Sequence, residues 1–267
     1  METSNILTAF MLTLAAGLST GIGSLIALVA NRTNRKFLCF SLGLSAGVMI
    51  YVSFMEMLPQ SKDELAMAFG GDRMGTLYML LAFLGGMGLI TLIDFLVPES
   101  GNPHEIHGVE DMKVKDPLHR AGFLVAVSIT IHNFPEGIAT FTSALSGGTD
   151  IAIPITLAIA IHNIPEGIAV SVPIYHATGS RKKAFGYSFL SGLAEPMGAL
   201  IAFLFLMPFW TPAVNGLVLS AVSGIMVFIS LDELLPSAEK YGEHHISIAG
   251  LVTGMAIMGF SLFLFAD

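Results

Sequence analysis

Long apolar segments restrict the fold of this chain more than any other feature of its sequence. A helix that crosses a bilayer needs about 20 apolar residues. Eight segments reach that length, at 5–30, 37–58, 74–97, 121–146, 151–174, 184–208, 213–235 and 246–266. Hydrophobic residues make up 54% of the 267 residues and charged residues only 12%, about half the charged share of a soluble domain. The sequence therefore predicts an all-α, polytopic membrane protein, with eight transmembrane helices forming one domain over 1–267.

The distribution of Lys and Arg predicts how these helices are oriented. Ten of the 12 lie in the loops after segments one, three, five and seven, whereas only Lys62 and Arg73 lie on the other side. Because Lys and Arg accumulate in cytoplasmic loops, we expect both termini to be external or periplasmic. The longest loop, 98–120, is then cytosolic, and the predicted location is the cell inner (plasma) membrane.

Two copies of one six-residue motif place polar groups in the middle of apolar segments. HNFPEG occupies 132–137 in the fourth segment, and HNIPEG occupies 162–167 in the fifth. An acidic side chain at mid-bilayer costs roughly 2.5–3.5 kcal/mol on an insertion scale, so such residues are rare and mostly functional. The spacing places the His, Asn and Glu of each motif within about 100° of one another around a helix. Pro135 and Pro165 lack a backbone N–H, so we expect kinks in helices four and five.

The residue types of the motifs favour a metal site over a packing contact. Imidazole, carboxylate and amide oxygen without thiolate suit zinc, iron(II), manganese or cobalt. A purely structural role, in which proline kinks the helix and His, Asn and Glu hydrogen-bond to one another, would account for one copy of the motif. It gives no reason for a second copy with the same residues. Glu195, which precedes Pro196 in the sixth segment, is a further acidic residue deep in an apolar stretch and a further candidate ligand. Cys39 is the single cysteine, which excludes a disulfide framework and a cysteine-based zinc site.

A second pair of segments indicates an internal repeat. SFMEMLP (53–59) ends segment two and SLDELLP (230–236) ends segment seven, and aligning them superposes Glu56 on Glu233. In the predicted topology they lie on opposite sides of the membrane, so the repeat is inverted, as in many secondary transporters. Whether Glu56, Asp232 and Glu233 are metal ligands or caps at helix ends is left open.

The two motifs, together with SGLAEP at 191–196, resemble the ZIP metal-ion transporter family, and most of all its bacterial ZupT branch. The resemblance extends over essentially the whole chain. It implies uptake of divalent metal into the cytosol, of zinc and also of iron and manganese or cobalt, through a two-metal site between helices four, five and six. The metal is then the transported substrate and not a cofactor. The implied ligands are His132, Asn133, Glu136, His162, Asn163, Glu166 and Glu195.

Two other functions are compatible with a metal site inside a membrane. An intramembrane metal-dependent hydrolase would use a glutamate as general base, but such enzymes usually carry HExxH, whereas the order HNxPE makes each glutamate a ligand. A metal sensor would need a sizeable soluble domain, and the chain has none.

The expected partners are divalent metal ions and lipid. A net charge of −8 argues against nucleic acid. A homodimer is one assembly to test. The preferred metal, the driving force and the role of the loop histidines His104, His107 and His119 are open at this stage.

Overall fold

The protein is almost entirely helical in the regions that the computed structural model describes. These are residues 3–29, 35–96, 130, 133–145, 178–240 and 243–265, together with part of the stretch between 153 and 175. No residue in these ranges lies in a β-strand. The predicted all-α class is therefore confirmed for the described chain.

Nine α-helices have defined bounds in these ranges. They are α1 (Thr3–Val29), α2 (Arg35–Val52), α3 (Leu58–Phe69), α4 (Asp72–Leu96), α5 (Arg181–Gly192), α6 (Ala194–Ile201), α7 (Pro212–Ile229), α8 (Leu235–Lys240) and α9 (His244–Phe265). Residues 133–145, here called the first motif segment, are also helical. So are the described residues between 156 and 175, here called the second motif segment.

Six helical stretches of the described chain are long and apolar enough to cross a membrane. They are Asn5–Ile26, Cys39–Phe69, Asp72–Ile93, Arg181–Phe209, Pro212–Leu234 and His244–Leu264. They correspond to the predicted segments one, two, three, six, seven and eight. Segments four and five lie partly outside the described residues, so the count of eight, like the kinks at Pro135 and Pro165, stays a prediction.

The second of these stretches runs about ten residues past the predicted end at residue 58, because Pro59 does not end the helix. The chain makes a π-helical turn at Ser53–Met57 and continues directly into α3. Proline has no N–H, and its ring displaces the carbonyl four residues back. The N–H of Leu58 instead donates to the carbonyl five residues back, that of Ser53.

The same device occurs twice more in the described chain. π-Helical turns at Ala202–Leu206 and Ser230–Leu234 precede Pro208 and Pro236. In each, the residue before the proline donates to the first residue of the turn. The two segments that were aligned as a repeat, 53–59 and 230–236, therefore share one local structure.

The labelled helices form two groups. In the first, α1 packs against α5 and α6; in the second, α2 packs against α8 and α9, and α7 packs against α3 and α4. One apolar cluster joins the groups, since it contains Ala16 of α1 and Ala139 of the first motif segment as well as Leu42 of α2 and Met226 of α7.

Apolar side chains also cover outward faces of the molecule. On α4, Leu81 is 56% exposed, Leu84 52% and Leu92 56%. Exposed apolar surface of this extent is unusual for a soluble monomer, and it suits a helix that faces lipid.

Candidate metal centre

The two motif segments reach their neighbours through glycine. A Cβ on Gly137, the last residue of the first motif, would meet the backbone carbonyl of Glu195 in α6. A Cβ on Gly167, the last residue of the second motif, would meet the carbonyl of Thr20 in α1. Because only glycine allows this approach, the final position of the motif brings its segment against α6 in one case and against α1 in the other.

The described candidate ligands are all buried. Asn133, Asn163 and Glu195 are 0% exposed, Glu136 is 1% and Glu166 is 4%. They come from three elements, namely the two motif segments and α6. These five residues therefore lie inside the helical body, and their role as metal ligands stays a prediction.

Hydrogen bonds fix the side-chain amides of both motif asparagines. The Nδ2 of Asn133 donates to the backbone carbonyl of Ser191, at 3.3 Å. The Nδ2 of Asn163 donates to the carbonyl of Ala16 in α1, at 3.0 Å, and also to Oε1 of Glu195. In both cases Oδ1 accepts no hydrogen bond from a described residue. Each amide therefore has its donor side engaged and its acceptor side available to a cation.

The buried carboxylates of Glu166 and Glu195 accept few hydrogen bonds from the described residues. Both oxygens of Glu166 and Oε2 of Glu195 accept no hydrogen bond from any described residue. The charges also interact, because Glu195 lies within electrostatic range of Glu136 and Glu166, and Glu166 within range of Glu136 and Glu233. Burying like charges without partners is strongly unfavourable unless a cation or protons neutralise them.

Carboxylate and amide oxygens are suitable ligands for divalent cations. Among the described residues, no three His, Cys, Asp or Glu side chains are grouped so that they alone could hold a metal ion. Asparagine is not among those four residue types, so the motif asparagines are not included. His132, His162 and Pro165 lie outside the described residues. The roles predicted for the two histidines accordingly stay predictions.

The other candidates from the sequence are distributed along the molecule. Glu233 joins the electrostatic surroundings of Glu166, Glu56 is partly exposed and Asp232 is exposed. The loop histidines His104, His107 and His119 lie outside the described residues.

Sequence reasoning missed the contribution of α1. The carbonyl of Ala16 accepts from Asn163, and a Cβ on Gly17 would meet the carbonyl of Gly192 in α5. The sequence GLSTG at 17–21 indicated close helix packing, but a backbone carbonyl that orients a ligand has no side-chain signature.

Comparison with known proteins assigns the chain to a family. The family model described as ZIP Zinc transporter matches residues 97–262. Zinc transporter ZupT of Streptococcus mutans is 59% identical over 262 residues, which cover 98% of each chain. Zinc transporter ZupT of Oceanobacillus iheyensis is 58% identical over 268 residues, with 98% of this chain and 99% of the relative covered. Zinc transporter ZupT of Clostridium perfringens is 55% identical over 279 residues, with 98% and 97% covered.

The three ZupT relatives match nearly the whole chain, and together with the family model they set the hydrolase alternative aside. The chain belongs to the ZIP family, in its ZupT branch, and is a multi-pass membrane transporter rather than an enzyme.

Proposed function

We propose that this transporter carries divalent metal cations, zinc among them, into the cytosol through the candidate metal centre. The observation that carries the proposal is the buried carboxylate of Glu166, neither of whose oxygens accepts a hydrogen bond from a described residue. A buried carboxylate is costly in a membrane, and acidic residues found there are mostly functional. The relatives are named zinc transporters, and the chain matches them over nearly their whole length. This supports zinc as one substrate.

The metal is the transported substrate, and the proposed centre has two neighbouring metal-binding positions. His132, Glu136, His162 and Glu166 form one position, and Asn133, Glu136, Asn163, Glu166 and Glu195 form the other. The glutamates of the two motifs bridge them. Nitrogen donors suit zinc, whereas the oxygen-rich second position suits iron(II) and manganese. We therefore include iron, manganese and cobalt in the proposed substrate range.

The proposed architecture is a single unit of eight spans that contains an inverted repeat and kinks at Pro135 and Pro165. Both termini face outward from the inner membrane, and loop 98–120 faces the cytosol. The ten-to-two distribution of Lys and Arg supports this orientation.

The test is uptake of labelled zinc by cells that express Glu166→Gln. This change keeps the shape of the side chain and removes its charge, so we expect uptake to fall to the level of cells without the transporter. The control is Glu239→Gln, a loss of one exposed carboxylate outside the motifs, which should leave uptake near that of the unmodified protein. Both variants are first matched for the amount of protein in the membrane. Normal uptake by Glu166→Gln would refute the proposed metal centre.

A further inference from the structure

Three consecutive cations form the first turn of α5. They are Arg181, Lys182 and Lys183, here called the basic turn, and all three are exposed. The turn contains no acidic residue, and none of the three forms an ion pair with a described residue. By contrast, Lys36 at the start of α2 lies 3.9 Å from the carboxylate of Glu243. The basic turn is therefore a concentrated positive charge that the described chain does not balance.

The start of a helix is an unfavourable place for cations. The first turn carries a partial positive charge, which favours acidic side chains there and disfavours basic ones. α4 follows this rule, because Asp72 lies in its first turn beside Arg73. A preference for Lys and Arg in cytoplasmic loops accounts for cations near this membrane surface. It does not account for three of them in the first turn of a helix without an acid.

The backbone of the basic turn has donors left for an anion. Ser180 caps the helix, because its Oγ accepts the N–H of Lys183 at 3.3 Å and its carbonyl accepts the N–H of Ala184 at 3.0 Å. The N–H groups of Arg181 and Lys182 have no acceptor in the described chain. Free N–H groups at a helix start, combined with the field of the helix, favour the binding of phosphate groups.

An apolar surface leads away from the basic turn along the same helix face. Leu190 follows Lys183 by seven residues, which is close to two turns, and it is 62% exposed. Met197 of α6 follows by seven more and is 51% exposed. No described atom lies within 4 Å of a Cβ added to Gly186, which lies between Lys183 and Leu190. This face is open, and in a membrane it would face lipid.

The depth of the basic turn matches that of lipid phosphates. Lys183 precedes Glu195 by 12 residues, which is about 18 Å of helix. Half of the hydrocarbon core of a bilayer is about 15 Å. With Glu195 at mid-depth, the three cations therefore lie at the level of the headgroups, where anionic lipids attract clustered Lys and Arg.

We propose that the basic turn binds the phosphate of an anionic membrane lipid, whose acyl chains lie along the exposed face of Leu190 and Met197. The three side chains supply the charge, and the free N–H groups of the turn supply directed hydrogen bonds. The helix that starts here carries Ser191, whose carbonyl accepts from Asn133. A bound lipid would therefore hold the outer end of a helix that supports the candidate metal centre.

The first experiment measures thermal unfolding of the purified full-length protein in neutral detergent while phosphatidylglycerol is added. Lys182→Gln combined with Lys183→Gln should need roughly 25-fold more of this lipid for half of the full stabilisation, about fivefold for each lost cation. The matched control is Lys62→Gln combined with Arg73→Gln on α3 and α4, which removes the same net charge and should respond as the parent does. Equal responses of the two double variants would mean unspecific attraction to anionic micelles and would overturn the proposal.

The second readout is the unfolding temperature without added lipid. Removing two cations from the positive end of α5 should leave this temperature unchanged or raise it. A lower temperature would show that the two lysines stabilise the fold through contacts within the chain, and the lipid site would be wrong. Lys182→Arg combined with Lys183→Arg keeps both charges and should respond to phosphatidylglycerol within about twofold of the parent.

Two further additions identify the source of the phosphate. Phosphatidylcholine has no net charge, so it should affect the parent and the Gln double variant equally. Inorganic phosphate lacks acyl chains and should stabilise the parent far less than phosphatidylglycerol at the same concentration. Equal stabilisation by inorganic phosphate would indicate a site for free anions and contradict the lipid. None of these readouts depends on metal uptake, so they also hold if the proposed transport function is wrong.

Discussion

Asn163 shows how a single side chain can connect three elements around a candidate ligand site. Its Nδ2 donates both to the carbonyl of Ala16 in α1 and to Oε1 of Glu195 in α6. The amide is therefore held from two sides, and its Oδ1 is turned away from both partners. The same bond leaves Glu195 with one engaged oxygen and one, Oε2, without a donor among the described residues. Glu195 can thus offer one oxygen to a metal without losing its contact with the second motif.

This arrangement predicts that Glu195 matters more for iron than for zinc. Glu195→Gln removes a carboxylate from the oxygen-rich position and leaves the histidine-containing position unchanged, and iron(II) depends more on oxygen donors than zinc does. We expect the ratio of iron to zinc uptake to fall by roughly tenfold, which corresponds to about 1.4 kcal/mol of lost differential binding. The measurement is the uptake of labelled iron and labelled zinc by the same cells, corrected for protein level, with Glu239→Gln as control. An unchanged or increased ratio would contradict the division of ligands between the two positions.

At this scale, the sequence indicated candidate ligands but not the backbone groups that orient them. The spacing of Asn133 and Glu136 placed them on one helix face, and the cost of an acid in an apolar segment identified Glu195. The carbonyls of Ser191 and Ala16, which orient the asparagines, were not predictable, because every residue has a carbonyl. Only the tertiary arrangement decides which carbonyl meets a side-chain amide.

At the scale of the elements, the π-helical turns show that a proline in the sequence does not reliably predict the end of a helix. Pro59 was expected near the end of a span, since proline commonly ends a helix. The helix absorbs it by widening for one turn, so it runs on into α3. The repeat of the same device before Pro236 was visible in the alignment of the two segments, but its local form was not. Which response a proline produces depends on packing around the helix, and sequence pattern does not contain that information.

The glycines at the ends of the motifs lead to a prediction about stability. Gly137→Ala would place a Cβ against the carbonyl of Glu195, and the first motif segment and α6 would have to move apart. Overpacking of this kind typically costs about 1–3 kcal/mol, so we expect a lower unfolding temperature and reduced zinc uptake. The matched control is Gly186→Ala in α5, where nothing lies within 4 Å of an added Cβ. That change should be neutral or stabilising by up to about 1 kcal/mol.

Thermal unfolding of the purified variants measures the difference between these two glycines directly. If Gly137→Ala and Gly186→Ala unfold at the same temperature, the close approach of the first motif segment to α6 is not a determinant of stability. The site would then have to be assembled by contacts other than the motif glycine.

For the whole molecule, the division into two helix groups was not predictable from the order of the spans. α1 packs against α5 and α6, although these elements are separated along the chain by α2, α3 and α4. The candidate ligands lie on the first group and on the motif segments that pack against it. Hydropathy predicts how many helices a chain has, but it does not predict which of them are neighbours, because any apolar face can pack against any other.

The orientation of the whole molecule is open to a direct test with an impermeant thiol reagent on intact cells. We expect a cysteine introduced at Thr3 to react, because the distribution of Lys and Arg places the termini outside. A cysteine at Val114, in loop 98–120, should react only after the membrane is made permeable. Cys39 is buried and donates to the carbonyl of Ala238 at 3.1 Å, so it should add little background labelling. Labelling of Val114 but not of Thr3 in intact cells would invert the topology, and the same ligands would then be approached from the opposite side of the membrane.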